Sequence, residues 1–166
     1  VVVNGNFTVG GTGTGHNLTL NGTVNLGSTD RTITVTSPQV TATIGGEVFG
    51  SAGLTKSGDG ILVLSSSANS YSGPTIVNGG LLKYGAANAI PVASAVSVLC
   101  GGTLDLNGGG TTVTLASLAG DSATMGGLIT TSATSGTVTL NVGNATNTSF
   151  GGAITNNVGS TLNLVK

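Results

Sequence analysis

Between Gly53 and Asn107 the sequence falls into three similar lines: Gly60-Ile61-Leu62-Val63-Leu64, Gly79-Gly80-Leu81-Leu82-Lys83 and Gly101-Gly102-Thr103-Leu104-Asp105-Leu106. Each is a glycine turn followed by a short β-type run, and Leu62, Leu82 and Leu104 take the same place in each. The spacing is about 20–22 residues, within the range where a fixed period marks a stacked array. A strand of about five residues cannot bury its own apolar face, so such units hold only by stacking on one another. The chain is therefore read as all-β, a parallel β-helix (β-solenoid) of about 20–22 residues per coil. Residues 1–166 are read as one solenoid segment, with 53–107 as the clearest repeat unit. Parallel crossovers within a sheet are almost always right-handed, so the coil is expected to be right-handed.

Composition supports a thin core. Only 5% of residues are charged and 3% are aromatic, while 30 of 166 are Gly. A solenoid interior needs only one or two ranks of Val, Leu and Ile per coil. Gly costs about 1 kcal/mol against Ala inside a helix, and the branched Thr, Val and Ile favour pleated surfaces. The rest of the chain alternates in the same way. Phe7-Thr8-Val9, Leu18-Thr19-Leu20, Val24-Asn25-Leu26, Ile33-Thr34-Val35, Val40 to Ile44, Val113-Thr114-Leu115, Val138 to Val142 and Leu162-Asn163-Leu164 all read as strands. About seven or eight coils would fit 166 residues. A longer echo sets Val40 to Lys56 against Phe150 to Lys166 without gaps. It matches Ile44 with Ile154, Val48 with Val158, Leu54 with Leu164 and Lys56 with Lys166. On this reading Lys166 opens a further repeat and the chain is cut in mid-array.

The stretch Gly53-Leu54-Thr55-Lys56-Ser57-Gly58-Asp59-Gly60-Ile61-Leu62-Val63-Leu64, followed by Asn69-Ser70-Tyr71-Ser72-Gly73-Pro74-Thr75-Ile76-Val77-Asn78-Gly79-Gly80-Leu81-Leu82, resembles the autotransporter-associated β-strand repeat, also called the passenger-associated transport repeat. Ser66 or Ser67 stands where that family usually has Gly, and Pro74 where it has Gly or Ala. The resemblance implies a right-handed β-helical passenger: a stalk at the bacterial cell surface, anchored in the outer membrane if the full protein carries a translocator, and able to present or form an adhesive surface. It also implies that the residues that matter are structural: Gly58, Gly60, Leu62, Leu64, Tyr71, Gly73, Gly79, Leu81, Leu82, Leu104 and Leu106.

Catalysis finds little support in the residues. Glycoside hydrolysis uses two carboxylates across one cleft, and Asp30, Glu47, Asp59, Asp105 and Asp121 are scattered singly. Asp105, between Leu104 and Leu106, is expected to face solvent. His16 is the only His and Cys100 the only Cys, too few for a metal site, and His16 is read as a loop residue in a chain with no Gly-x-Ser-x-Gly nucleophile elbow for Ser-His-Asp catalysis. By parity with Val96 and Val98, Cys100 is expected to be a small buried residue. Tyr71 is read as a packing residue and Tyr84 as exposed. Lys83, one residue beyond Leu82, is read as pointing outward. The run Gly10 to Gly15 precedes no helix and so makes no phosphate cradle. Five Asn-x-Ser/Thr triplets, at Asn6, Asn17, Asn21, Asn144 and Asn147, are expected by chance in an Asn- and Thr-rich chain. A net charge of −1 gives no footprint for nucleic acid, and no run is long enough for a membrane helix. The chain is thus expected to be a non-enzymatic extracellular structural segment without cofactors. Its expected partners are adjacent coils or neighbouring subunits end to end, its surface or carbohydrate ligand being unspecified. An extracellular filament of end-to-end solenoids is the alternative, and a carbohydrate-active β-helix is disfavoured.

Overall fold

The computed structural model describes residues 1–11, 16–107, 112–121, 126–143 and 147–166. The described residues form strands and turns with no α-helix, as expected for glycine-punctuated, β-branched text. The strands fall on three faces. The first face stacks Phe7–Val9, Arg31–Val35, Leu54–Ser57, Thr75–Val77, Ala95–Val98 and Ser117–Gly120. The second stacks Leu18–Leu20, Thr41–Ile44, Ile61–Leu64, Gly80–Tyr84, Gly102–Asp105, Leu128–Thr130 and Ala153–Ile154. The third is interrupted: Val24–Asn25 pairs with Val48–Phe49, and Thr112–Leu115, Gly136–Val142 and Ser160–Val165 form a separate sheet. Pairing is parallel on all three faces, so the chain is a β-solenoid.

The seven strands of the second face bound about six turns, fewer than the seven or eight expected. The coils are unequal. The step from Ile61 to its partner Leu81 is short, whereas the step from Thr112 to its partner Thr139 is distinctly longer. The longer coils lie outside the repeat unit and use up the difference.

Alternation explains the interior. Along the second face Ala42, Leu62, Leu82, Leu104, Ile129 and Ile154 pair in one inward rank. A second rank runs Ile44, Leu64, Tyr84. Leu62, Leu82 and Leu104 are at most 1% exposed, which at roughly 25 cal/mol per Å² makes each a large contributor to stability. The same ladder corrects the longer echo. Ile154 ranks with Ala42 rather than Ile44, and Leu164 lies on the third face while Leu54 lies on the first. Val158 is 93% exposed where Val48 is fully buried. Backbone pairing sets register, and two-residue alternation lets similar text fit at several registers.

Candidate functional site

The best-defined constellation is the repeat unit itself, at the corners where the chain passes between faces. Lys56 lies in a first-face strand, paired with Ile33 before it and Val77 after it. Its side chain therefore enters the solenoid, and the residue is closed to solvent. The ammonium donates to the carbonyls of Ser57 at 2.9 Å, Gly58 at 2.7 Å and Gly79 at 3.1 Å. Gly79 belongs to the next coil, so one cation ties two successive corners. Burial lowers the Lys56 pKa from 10.5 to about 8, with nearby Asp59 partly offsetting it. Only a long aliphatic stem with a cationic tip can cross the rank and still reach those carbonyls.

Glycine makes the corner passable. Gly58 has φ +74° and Gly79 φ +145°, conformations that side chains rarely adopt. Gly60 and Gly73 are needed for space: a Cβ on Gly60 would meet the Ser37 carbonyl oxygen at 2.5 Å, and one on Gly73 would meet the Gly53 Cα at 2.6 Å.

A polar thread runs through the core beside this corner. Ser94 Oγ donates to the Gly73 carbonyl at 3.0 Å. A hydroxyl has one proton, so Thr75 Oγ1 must donate to Ser94 at 2.9 Å and the Tyr71 hydroxyl to Thr75 at 2.8 Å. Tyr71 is fully enclosed, and burial raises its phenol pKa. Asn69 does the work of a peptide group on the third face. Its Oδ1 accepts from the Val48 amide and its Nδ2 donates to the Ala89 carbonyl, both at 2.7 Å.

The structure therefore places Gly58, Gly60, Gly73 and Gly79 at corners or close approaches, Leu62, Leu64, Leu82, Leu104 and Leu106 in the core, and Tyr71 in the polar thread. Leu81 is half-buried on the outer side of the second face, in a row with Ile61 and Thr103. Three expectations are corrected. Asp105 is buried, not solvent-facing: it ends its strand, and its carboxylate turns to accept from the Asn107 and Ser132 amides and from Ser132 Oγ at 2.6 Å. Lys83 Nζ stands 3.7 Å from the same carboxylate. Cys100 is exposed, because its strand stops at Val98 and the chain turns through Gly101 at φ +81°. Tyr84 is buried, in the inward rank of Leu64, and its hydroxyl lies against the backbone of Ile90 without a hydrogen bond of normal geometry. Lys56 and Asn69 are the residues whose roles sequence reasoning missed. Two-residue parity with buried Leu54 was a usable signal for Lys56.

Other chemistry is sparse. Among the described residues no three His, Cys, Asp or Glu side chains gather as a metal site would require, and His16 is exposed. Residues 12–15 of the glycine run and the Asn144 triplet lie outside the described residues. Two of the Asn triplets carry backbone duty: Asn6 Oδ1 accepts from the Thr32 amide and Asn17 Oδ1 from the Thr41 amide, each in the next coil. Apolar grooves open at the two ends of the described coils. One, of about 310 Å³, is lined by Val1, Val2, Phe7, Leu18 and Leu20. The other, of about 260 Å³, is lined by Leu118, Val142, Phe150, Ile154 and Leu164.

Comparison with known proteins agrees with this geometry. The model of the passenger-associated-transport-repeat family matches residues 54–83, the span that holds Lys56, Asn69, Tyr71 and both corners. The adhesin BmaC autotransporter of Brucella suis biovar 1 (strain 1330) is 40% identical over 140 residues, 78% of this chain. The chain spans about 4% of the length of that adhesin. No solved structure matches the chain. Residues 54–83 thus carry a passenger-associated transport repeat within a β-solenoid, and the chain is similar to a segment of an autotransporter adhesin.

Proposed function

We propose that this segment is a stretch of a cell-surface stalk that holds or forms an adhesive surface outside the bacterial outer membrane, with no enzymatic role. The single observation that carries the reading is the 40% identity to an autotransporter adhesin over most of this chain. The parallel backbone ladder supports it physically. A solenoid buries each coil only against its neighbours, so it can be lengthened coil by coil without a new core. At about 4.8 Å per strand spacing, six turns supply about 29 Å of reach. Antibody raised against the purified chain tests the location. Intact bacteria producing the parent protein should be labelled, and external protease should remove the label. Labelling that requires permeabilised cells overturns the surface reading. For adhesion, beads coated with the chain should bind host cells more than beads coated with an unrelated β-solenoid; equal binding refutes an adhesive role for this segment.

For the isolated segment a second reading is end-to-end stacking as in a filament, for which the apolar grooves at the two ends of the described coils are the motivating observation. Unpaired strand edges above an apolar core invite pairing with another copy. Sedimentation over a concentration series separates the two readings for the isolated chain: growth with concentration supports stacking, and a constant monomer refutes it.

A further inference from the structure

We propose that the Ser57, Gly58 and Gly79 carbonyls form a binding site for a large monovalent cation, which the chain fills with its own Lys56 and which takes a free ammonium or potassium ion when that side chain is shortened. The three oxygens converge on one point, 2.9, 2.7 and 3.1 Å from Lys56 Nζ, inside a residue closed to solvent. An ammonium has three protons to give, and three acceptors receive them. Two of the carbonyls come from one corner and the third from the next coil. The Asp59 carboxylate adds to the negative field around them.

The cradle does not depend on the lysine for its shape. The Gly60 amide donates to the Val35 carbonyl, the Asn78 amide to the Lys56 carbonyl and the Leu81 amide to the Gly60 carbonyl, so backbone bonds fix the chain on both sides of each corner. A Cβ on Gly58 would strike the Val35 carbonyl, and one on Gly80 would strike the Gly58 carbonyl. Backbone packed this closely cannot swing its carbonyls out to water when the occupant is lost. Among the described residues neither the Gly58 nor the Gly79 carbonyl accepts a backbone amide. Enclosed acceptors without a partner are costly, so the cradle demands an occupant. Carbonyl oxygens held in a fixed group can replace the hydration shell of a potassium ion, as they do in potassium-selective pores. The distances here are too long for Ca²⁺ or Mg²⁺, which bind oxygen at about 2.3–2.6 Å and about 2.0–2.1 Å. A rigid cradle of this size favours ammonium and potassium over the smaller sodium ion, with water in the vacated stem space completing the shell. Because its cation is tethered, the unaltered chain needs none from the medium.

Chemical rescue of Lys56→Ala tests this. The substitution removes Cγ through Nζ, the atoms of an n-propylammonium ion. Urea midpoints of the variant and the parent are compared in sodium, potassium, ammonium and n-propylammonium chloride at one ionic strength and neutral pH. n-Propanol added to the sodium salt is the neutral match for n-propylammonium. Potassium, ammonium and n-propylammonium should each stabilise the variant over sodium, n-propylammonium at the lowest concentration. Each should raise the folded-to-unfolded ratio about tenfold when present at about ten times its Kd. The parent should respond alike to all four salts. Equal midpoints of the variant in all four salts overturn the proposal. So does rescue by n-propanol equal to that by n-propylammonium, which shows an apolar void and no cation site. Should Lys56→Ala not fold in sodium chloride, n-propylammonium should restore its β circular dichroism spectrum, and failure of every cation to do so overturns the proposal. Lys56→Met fills the stem space and supplies no charge, so it should show no ion preference. A potassium dependence in Lys56→Met equal to that of Lys56→Ala places the ion elsewhere and refutes the site.

Discussion

Leu81 and Leu82 are adjacent in sequence and sit on opposite sides of one strand, so truncating each in turn measures the inside-outside register directly. Leu82 is 1% exposed and is paired with Leu62 in the coil before and Leu104 in the coil after. Leu82→Ala removes a buried isobutyl group from the middle of the rank. The coils above and below are held at fixed spacing by their backbone ladders, so the space cannot collapse. Of the roughly 2–5 kcal/mol seen for buried Leu→Ala changes, the upper half of the range is expected, about 3.5–5 kcal/mol. Leu81 is half-buried in the outer row of Ile61 and Thr103. Its truncation leaves no enclosed void and forfeits only part of the transfer term, about 1 kcal/mol. Urea unfolding followed by β-sheet circular dichroism reads both, with the slope expected to stay constant. A Leu81→Ala variant at least as destabilised as Leu82→Ala would show the register to be wrong by one residue, which would turn every side chain of the second face inside out.

Removing Lys83 should be costlier than an outward lysine normally is. Lys83→Ala strips the cation from a carboxylate whose side chain is only 4% exposed, although three hydrogen bonds to Asp105 survive; a loss of about 1 kcal/mol is expected, and no change in the urea midpoint would refute the pairing. Stability should also depend on pH in the alkaline range. Lys56 titrates near 8 when folded against 10.5 ordinarily, so between these values the unfolded chain holds a proton that the folded chain has released, and stability rises with pH. Burial raises the Tyr71 and Tyr84 phenols above their ordinary 10.0, so past about pH 10 the unfolded chain loses protons that the folded chain keeps, and stability falls. A maximum near pH 10 is therefore expected, and Lys56→Met should abolish the rise while leaving the fall; a parent whose stability declines steadily from pH 8 contradicts the buried-lysine geometry.

Two-residue alternation carried most of the fold. It located Leu62, Leu82 and Leu104 and the strands that flank them, because an inward apolar rank leaves the same mark in every coil. It failed at the corners. Cys100 shares parity with Val96 and Val98, but its strand has already ended and Gly101 turns the chain. Asp105 closes a strand, and its carboxylate is drawn to the amide of Ser132 in a distant loop, a contact that local pattern cannot encode. Lys56 and Tyr84 were legible in principle, since they alternate with buried Leu54 and Leu82. A cation and a phenol read as surface residues until the corner carbonyls and the enclosed interior that receive them are known.

Distance along this molecule counts coils, one strand spacing at a time. Thr19, Thr43, Val63, Lys83, Asp105 and Thr130 form one row in consecutive coils. With exposed Cys100 replaced by Ser, spin labels at Thr19 and Thr130 stand five spacings apart, about 24 Å between their backbones, and labels at Thr43 and Thr130 stand four apart, about 19 Å. Dipolar electron–electron distance measurement should give two narrow distributions that differ by one strand spacing. Broad distributions, or a Thr43–Thr130 distance equal to or longer than Thr19–Thr130, would contradict the stacked parallel solenoid.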